Sequence, residues 1–496
     1  MDLHLDLSKA SGGSMRTRVE GTLREAVRSG RLAPGSRLPS TRALCAQLGV
    51  SRGVVVDAYS QLAAEGYLQT RRGGGTTVAS AAVSDRQRVA SGVPADVVRH
   101  DLNPYRPALD GFPRAAWLSA LTRVLRSVPD ERLAYPDPAG TPELRASLAS
   151  YLGRVRGVIT TPEQVVITSG TRHGVELLWS VLVAEGARRV AVECPGWRGM
   201  RETAVDAGLL TVSLPVDEHG LVVERLEHEQ VDAVATAPAH QYPTGAVLSP
   251  TRRLALVEWT RKRDALIVED DYDAEYRYDR QPIGSLQGLA PEHVAYCGST
   301  SKTLAPAMRL GWLALPPLLA EAVATRQHRR GSMPSPLNQL AMSDLIERGE
   351  LDRHLRRQRR RYGRRREALL EALSQQLPEA RISGAAAGLY VVVGLPDGIG
   401  EQAVLAAARS RGIALEGVGG SSPGLVVGYA NLADAAVAPA VRALVASVRD
   451  VELAASVRNG ESQGSAFSSG SCPDTPGARR ERPAKLPTST PITVTR

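Results

Sequence analysis

The sequence predicts an α/β body with a largely parallel sheet, preceded by a small separate N-terminal domain of helices and one hairpin. Three observations carry that expectation. A chain of 496 residues exceeds one core, because single cores stop growing at roughly 250–300 residues. From about residue 100 to about 455, apolar strand-like runs (VVIT, RVAVE, DAVATAP, ALIVED, VAYCGS) alternate with amphipathic helical segments, as in a parallel sheet with helical crossovers. Charge is uneven as well. Residues 1–80 carry 11 Lys/Arg against 6 Asp/Glu, the tail 456–496 carries 6 against 3, and the long middle section nets only +1 of the total +9. A nearly neutral body behind a basic head is the electrostatic pattern of a nucleic-acid module joined to something else.

Composition excludes several classes. With 43% hydrophobic and 23% charged residues, the chain reads as water-soluble and globular. No uncharged apolar run reaches the roughly 18 residues that span a bilayer, so no membrane partner is expected. The start, MDLHLDLSKASGG, lacks a basic stretch followed by an apolar core, so no secretory signal is visible and the expected location is cytoplasmic. Cys45, Cys194, Cys297 and Cys472 show no CxxC spacing, which argues for a reducing compartment and against structural zinc.

The head, residues 12–80, is justified element by element. RTRVEGTLREAVRSG (16–30) has helical periodicity through Val19, Leu23 and Val27 and stops near Gly30. Ser40 or Thr41 can cap a short helix ending at Gly49, and Ser51 can cap the next, with Val54, Val55, Ala58 and Leu62 on its apolar face. Two helices around a tight turn make a helix-turn-helix. Gly66–Thr70, the basic glycine-rich Arg71–Gly75 and Thr76–Val78 read as a hairpin, the wing.

That order, with PGSRLPSTRAL and GVSR…AYSQLAAEGYL in place, resembles the GntR-type winged-helix family over almost all of residues 15–79. The resemblance implies double-stranded operator DNA as a partner. It makes Arg42, Ser51 and Arg52 the expected contacts, with Ser40 and Thr41 nearby. Arg52, at the start of the recognition helix, can reach guanine O6/N7 or a phosphate. Gly53 stands where many relatives have Thr, which puts one contact in doubt. Residues 81–99, small and polar with weak periodicity, read as a linker.

The body's chemistry centres on GSTSKTLAPAMRLGW (298–312). Only four lysines (Lys9, Lys262, Lys302, Lys485) stand among 61 basic residues. An amine among small and hydroxyl residues can condense with an aldehyde, which a guanidinium does not ordinarily do. Upstream, IVEDDYDAEYRYD ends a strand in carboxylates. There Asp270 or Asp271 faces the ligand crevice of an open α/β sheet. Arg309 can clamp a phosphate, with Ser299 and Ser301 as hydroxyl donors. Ser169-Gly170-Thr171 opens a helix whose N–H groups suit a phosphate. In ECPGW, Trp197 can stack on a planar ring.

This series resembles the aminotransferase-like, fold-type-I pyridoxal phosphate proteins over roughly residues 100–450. With AYPDPAGTPELRASLASYLGRVRGV, HQYPTG and the head added, the whole chain resembles a MocR-type regulator. The resemblance implies pyridoxal 5'-phosphate as cofactor, held by Lys302 as a Schiff base. Asp270, ahead of Asp271, pairs with its pyridine nitrogen, Tyr272 bonds its phenolic oxygen and Trp197 stacks on its ring. Gly170, Thr171, Ser299, Ser301 and Arg309 hold its phosphate. Tyr135 reaches the phosphate of a partner subunit, which implies a homodimer.

Departures from the enzymes of this fold bear on function. Tyr242, in YPTG, stands where they have the Asn that holds the phenolic oxygen. Val426, in LVVGYANL, stands where they carry the Arg that binds the substrate's α-carboxylate. Arg198 and Arg201 are the nearest alternatives for a carboxylate. The expected function is therefore a transcription regulator sensing the cofactor, or an amine or amino-acid effector, with weak or no transaminase activity. The alternatives are an aminotransferase with an accessory head, and a DNA-binding protein whose body only dimerises. In RHLRRQRRRYGRRREALLEAL, Leu355, Tyr362 and Leu369 at seven-residue spacing suggest a packed face with solvated arginines rather than a second DNA patch. Residues 456–496, dominated by Ser, Gly, Pro and Thr, read as a disordered basic tail.

Overall fold

A computed structural model describes Leu7 and residues 13–71, 75–79, 98–278, 283–384, 386–419 and 423–464. The chain divides into two compact units, Met1–Ala95 and Asp96–Arg496. Each is considered by itself.

In the first unit, α1 (Met15–Arg28), α2 (Thr41–Leu48) and α3 (Arg52–Ala64) precede a hairpin of β1 (Leu68–Arg71) and β2 (Gly75–Val78). Val19, Leu23 and Val27 from α1, Leu44 from α2, and Val55, Ala58 and Leu62 from α3 bury together with Leu68 and Val78. The helical spacing of these apolar residues gives each helix one inward stripe. Ser40 caps α2 by accepting from the Ala43 N–H at 3.2 Å, and Gly49 ends it at φ +64°. Such a left-handed turn favours glycine. Ser51 occupies the N-cap of α3, but its hydroxyl makes no cap hydrogen bond, so the expected capping interaction is absent there. The wing's turn, residues 72–74, lies outside the described residues, as does most of the expected linker.

The second unit begins with β3 (His100–Asp101), α4 (Arg114–Ser127), α5 (Pro142–Arg156), β4 (Val165–Thr168) and α6 (Thr171–Ala184). Next come β5 (Arg189–Cys194), α7 (Arg198–Asp206), β6 (Leu210–Asp217), β7 (Gly220–Leu221), β8 (Ala233–Thr236), α8 (Pro250–Arg263) and β9 (Leu266–Asp270). They are followed by β10 (Val294–Ser299), β11 (Gly311–Ala314), α9 (Pro317–Arg330), α10 (Pro336–Glu347) and α11 (Glu350–Gln376). Strands β4 through β11 form one sheet in the order β4-β11-β10-β9-β8-β5-β6-β7. Neighbours from β10 through β6 are parallel, while β11 runs antiparallel to both β10 and β4. The expected largely parallel sheet is present, and β4, β8 and β10 are buried throughout. Burial on both faces explains why these strands read as continuous apolar runs rather than alternating ones.

A smaller antiparallel sheet follows, built from β12 (Ile382–Ser383), β13 (Tyr390–Gly394), β15 (Glu416–Gly417) and β16 (Gly424–Gly428) in the order β12-β13-β16-β15. Between them lie α12 (Glu401–Ser410) and β14 (Ile413–Ala414), the latter pairing with β3. The last helix, α13, runs Val437–Gly464, past residue 456, where the tail was expected to begin. SVRNGESQG holds weak helix formers but no proline to stop the helix. Residues 465–496 lie outside the described residues.

Helix α11 buries Leu355, Tyr362 and Leu369 as the spacing suggests. Its arginines are not all solvated. Arg365 is buried, with Nε 2.7 Å from Asp434 Oδ1 and Nη1 donating to the Ala430 carbonyl. Arg359 donates to the Glu275 carbonyl at 2.6 Å. A buried guanidinium persists only when it is paired.

Candidate functional site

Strands β9 and β10 end side by side, with Asp270 opposite Cys297. Ligands of open α/β sheets bind in the crevice beyond such carboxyl ends. A cavity of about 210 Å³ lies there. Its lining includes Lys302, Asp270, Tyr272, Trp197, Tyr242, Gly170, Thr171, Ser299, Ser301 and Arg309. The structure thus brings together every expected cofactor residue except Tyr135. Tyr135 is 95% exposed in its own subunit and reaches nothing in this cavity.

Lys302 follows β10. Its Nζ donates to the Tyr105 carbonyl at 2.7 Å and lies 5.3 Å from the Tyr105 ring centre. Burial brings the ammonium down to about 8, against the pull of Asp273 and Asp270. The lowered value gives the amine a larger neutral, nucleophilic fraction at physiological pH than an ordinary lysine has, which suits attack on a carbonyl.

The two carboxylates left open as partners of a pyridine nitrogen face different ways. Asp271 turns into the protein, 2.6 Å from Arg156 Nε and 2.7 Å from Tyr296 Oη. Asp270 lines the cavity, and its buried Oδ1 has no hydrogen-bond partner among the described residues. Burial pushes its carboxyl up to about 7, with Asp271, Glu193 and Asp273 adding repulsion. A buried carboxylate without a partner is costly. A cationic group at that end of the cavity relieves the cost.

Also in the lining, Gly170 caps α6 at φ +99°, and no acidic residue occupies the helix's first turn. The Gly311 backbone approaches Gly170 so closely that a Cβ at 311 would lie 2.8 Å from the Gly170 Cα. Arg309 adopts φ +47°, an uncommon conformation for a residue with a side chain. It lies beside this helix start, where N–H groups and a guanidinium together favour an anion. Amine, unpartnered carboxylate and anion cradle fit a planar phosphorylated pyridine aldehyde.

A second cavity, about 410 Å³, meets the first across Trp197, Tyr242 and Asp270 and includes Arg198, Arg201 and Glu193 in its lining. Arg201 is engaged, bonding Thr211 Oγ1 at 2.9 Å and Ser213 Oγ at 2.7 Å. Arg198 is exposed and close enough to Glu416 to oppose the upward shift that burial gives that carboxyl. Val426 is fully buried in an apolar cluster with Tyr390, Val392, Tyr242 and Val418. Glu416 is its cross-strand partner.

Sequence reasoning missed four groups here: Tyr105, Tyr390, His240 and Asp273. His240 lay inside a quoted motif, HQYPTG, and Asp273 inside IVEDDYDAEYRYD, so both had a signal. Tyr105 acts through its carbonyl, which leaves none.

In the first unit, Arg42, Ser51 and Arg52 are all exposed, and none of them makes an ion pair among the described residues. Ser40 is committed to capping, and Thr41 is the first residue of α2. Arg52 opens α3, where a helix N-terminus and a positive side chain together suit a DNA backbone or base edge.

Residues 107–444 match the family described as aminotransferase class I and II, and residues 15–78 match bacterial regulatory proteins of the gntR family. The chain is 35% identical over 79% of its length to the HTH-type pyridoxine biosynthesis transcriptional regulator PdxR of Corynebacterium glutamicum, covering 86% of that protein. It is 32% identical over 86% of its length to the probable rhizopine catabolism regulatory protein MocR of Rhizobium meliloti, covering 92% of it. Among solved structures, the body resembles the α-aminoadipate aminotransferase LysN of Thermus thermophilus complexed with N-(5'-phosphopyridoxyl)-L-leucine. That likeness has a TM-score of 0.64 and 25% identity, covering 71% of this chain and 92% of that one.

Proposed function

Because the chain belongs to the MocR-type DNA-binding transcription regulators, a GntR-type head joined to an aminotransferase class I and II body, we propose that it senses pyridoxal 5'-phosphate held at Lys302, or an amine or amino acid that reacts with it. Occupancy of the body then alters operator affinity. The observation that carries this reading is the cavity itself, where a buried lysine with a lowered pKa shares the lining with a buried carboxylate whose Oδ1 lacks a partner among the described residues. Bound pyridoxal phosphate supplies an aldehyde that condenses with amines and a pyridine ring that takes up a proton.

The chain's own groups have distinct tasks. Lys302 would hold the cofactor covalently, and Asp270 would keep a proton on the pyridine nitrogen. Trp197 would cover the ring. Arg309, Ser299, Ser301, Thr171 and Gly170 would bind the phosphate, with Tyr135 serving the partner's site in a homodimer. Turnover is expected to be slow or undetectable, because Val426 cannot pair with a carboxylate. Arg42, Ser51 and Arg52 would meet operator DNA.

The test is linkage. Operator affinity is measured with apo protein, cofactor-loaded protein and Lys302→Ala. Loaded protein should differ from the other two, and operator DNA should shift cofactor affinity by the same factor. Equal operator affinities in all three would overturn cofactor sensing, and rapid turnover of a common amino acid would favour the aminotransferase reading. Arg52→Ala should cost about 1–3 kcal/mol of specific binding if the contact is bidentate to guanine. The cofactor's absorbance should stay unchanged in that variant, and undiminished affinity at fixed salt would refute the assignment.

A further inference from the structure

Beneath Tyr272 lies a buried pair that nothing above has used. His240 and Asp273 are 2% and 1% exposed. His240 Nδ1 is 2.9 Å from Asp273 Oδ2 and 3.1 Å from Oδ1. The same Nδ1 is 3.1 Å from the Tyr272 hydroxyl oxygen. That hydroxyl is also 3.2 Å from the Tyr390 hydroxyl, which donates to the Gln241 carbonyl at 3.1 Å.

Counting protons fixes the direction of each bond. One proton lies between Nδ1 and the Asp273 carboxylate, whichever group carries it formally, so Nδ1 has no lone pair left for Tyr272. Tyr272 can only accept from this dyad. Its own proton must go elsewhere, and two destinations exist: the Tyr390 oxygen, or an acceptor inside the cavity that Tyr272 lines. Tyr390, whose own proton is on the Gln241 carbonyl, can accept it at 3.2 Å, but an anionic oxygen in the cavity is the stronger acceptor because it carries charge.

The dyad is also locked in place. Gly388 passes over it at φ +80°, and a Cβ there would lie 2.0 Å from His240 Cε1 and 2.7 Å from Asp273 Oδ2. The Gly388 backbone thus closes one side of the pair.

We propose that His240 and Asp273 are positioning residues that force the Tyr272 hydroxyl to act as a donor into the cavity, toward the phenolic oxygen of a bound pyridoxal. The inference rests on the cofactor reading above. It also explains how the site manages with Tyr242 in place of an amide donor, since the donor role is vested in Tyr272. The charged and titratable groups facing Tyr272 are Asp270, Asp273, His240, Tyr390 and Lys302. A donor on the phenolic oxygen competes with the proton that oxygen shares with the Lys302 nitrogen. Losing the donor makes that proton harder to remove.

The experiment is a pH titration of the visible absorbance of the full-length chain loaded with pyridoxal phosphate. His240→Phe should move the midpoint upward by about 1 to 2 pH units. His240→Asn, whose amide N–H replaces Nδ1–H, should return it close to wild type. In a Tyr272→Phe background, replacing His240 should add nothing, because it acts through that hydroxyl. Should His240→Phe lose the cofactor, the smaller His240→Leu, which equally lacks the Nδ1–H and leaves the Asp273 charge in place, should give the same upward shift. A wild-type midpoint in these variants, with cofactor bound, overturns the inference alone. No visible band in wild-type protein overturns the cofactor reading and this inference with it.

Discussion

Two walls of one cavity differ in kind. One carries Lys302, Asp270, Ser299, Ser301 and Arg309, together with the N-terminus of α6 at Gly170 and Thr171. The other carries Tyr242 and Tyr390, backed by the buried Val426 and Val392 and by Val418, and the residue paired with Val426 across the strands is Glu416. The first wall can hold a phosphorylated pyridine. The second offers nothing cationic where an amino acid's carboxylate would need it. Holding a cofactor and gripping a substrate are therefore separable properties of this fold, and this chain's geometry favours the first. A sensor needs binding that differs between two states of the protein, and fast turnover would only empty the site.

The largest effect belongs to the first wall. Lys302→Ala should abolish covalent capture entirely, because Lys302 is the one lysine lining the cavity among the described residues. Borohydride reduction and peptide mapping should place the adduct on Lys302 in wild type and nowhere in the variant. An adduct elsewhere would move the site.

How much of this contrast was legible beforehand depended on where each signal resides. Lys302 stood out because arginine does nearly all the other basic work, and Gly170 because strand-to-helix turns are written in local residues. Asp270 and Asp271 are adjacent and identical, and a strand end turns neighbours to opposite sides. Residue type and position left both open, the family resemblance put Asp270 ahead, and the structure shows Asp271 engaged by Arg156 and Tyr296. Arg365 looked solvated because its acidic partner, Asp434, lies 69 residues downstream. Tyr390 was hidden inside an apolar strand, YVVVG, and its hydroxyl matters only because β13 sits beside the Gln241 loop. Local chemistry was readable, while pairings made by the tertiary fold were not.

The second wall resists simple repair. Val426→Arg restores the residue type that binds carboxylates in enzymes of this fold, yet the position is fully buried and tightly packed. Overpacking should cost about 1–3 kcal/mol of stability. The new guanidinium would also find Glu416 directly across the strand pair. Transamination should stay undetectable, with a lowered melting temperature. A stable variant that turns over common amino acids would show that one residue separates sensor from enzyme.

The pH dependence of capture sharpens the comparison further. With the Lys302 amine at about 8, capture of pyridoxal phosphate by apo protein should rise by about tenfold per pH unit below that value and level off above it. The sign for stability follows from the same shift. Below about 8 the buried amine is charged in both folded and unfolded chains, so its burial penalty is full. Between about 8 and the usual lysine value only the unfolded chain holds the extra proton, so apo stability rises with pH across that window. A capture rate flat through pH 8 would mean that Lys302 does not limit the reaction.

The smallest expected effect tests what remains of carboxylate recognition on the second wall. Arg201 is held by Thr211 and Ser213, which leaves exposed Arg198, in the lining of the second cavity and near Glu416, as the remaining candidate. An exposed charge pair is worth about 0.2–1 kcal/mol, and Glu416 competes for the same guanidinium. Arg198→Ala should therefore weaken an amino acid's binding to loaded protein by no more than about fivefold. A simple alkylamine, lacking a carboxylate, should bind as before. Titrating both ligands through the cofactor's visible band separates the two contributions. Equal losses for amine and amino acid would show that Arg198 shapes the cavity rather than reading a carboxylate. A loss much beyond fivefold, for the amino acid alone, would mean that the second wall is less apolar in function than in structure.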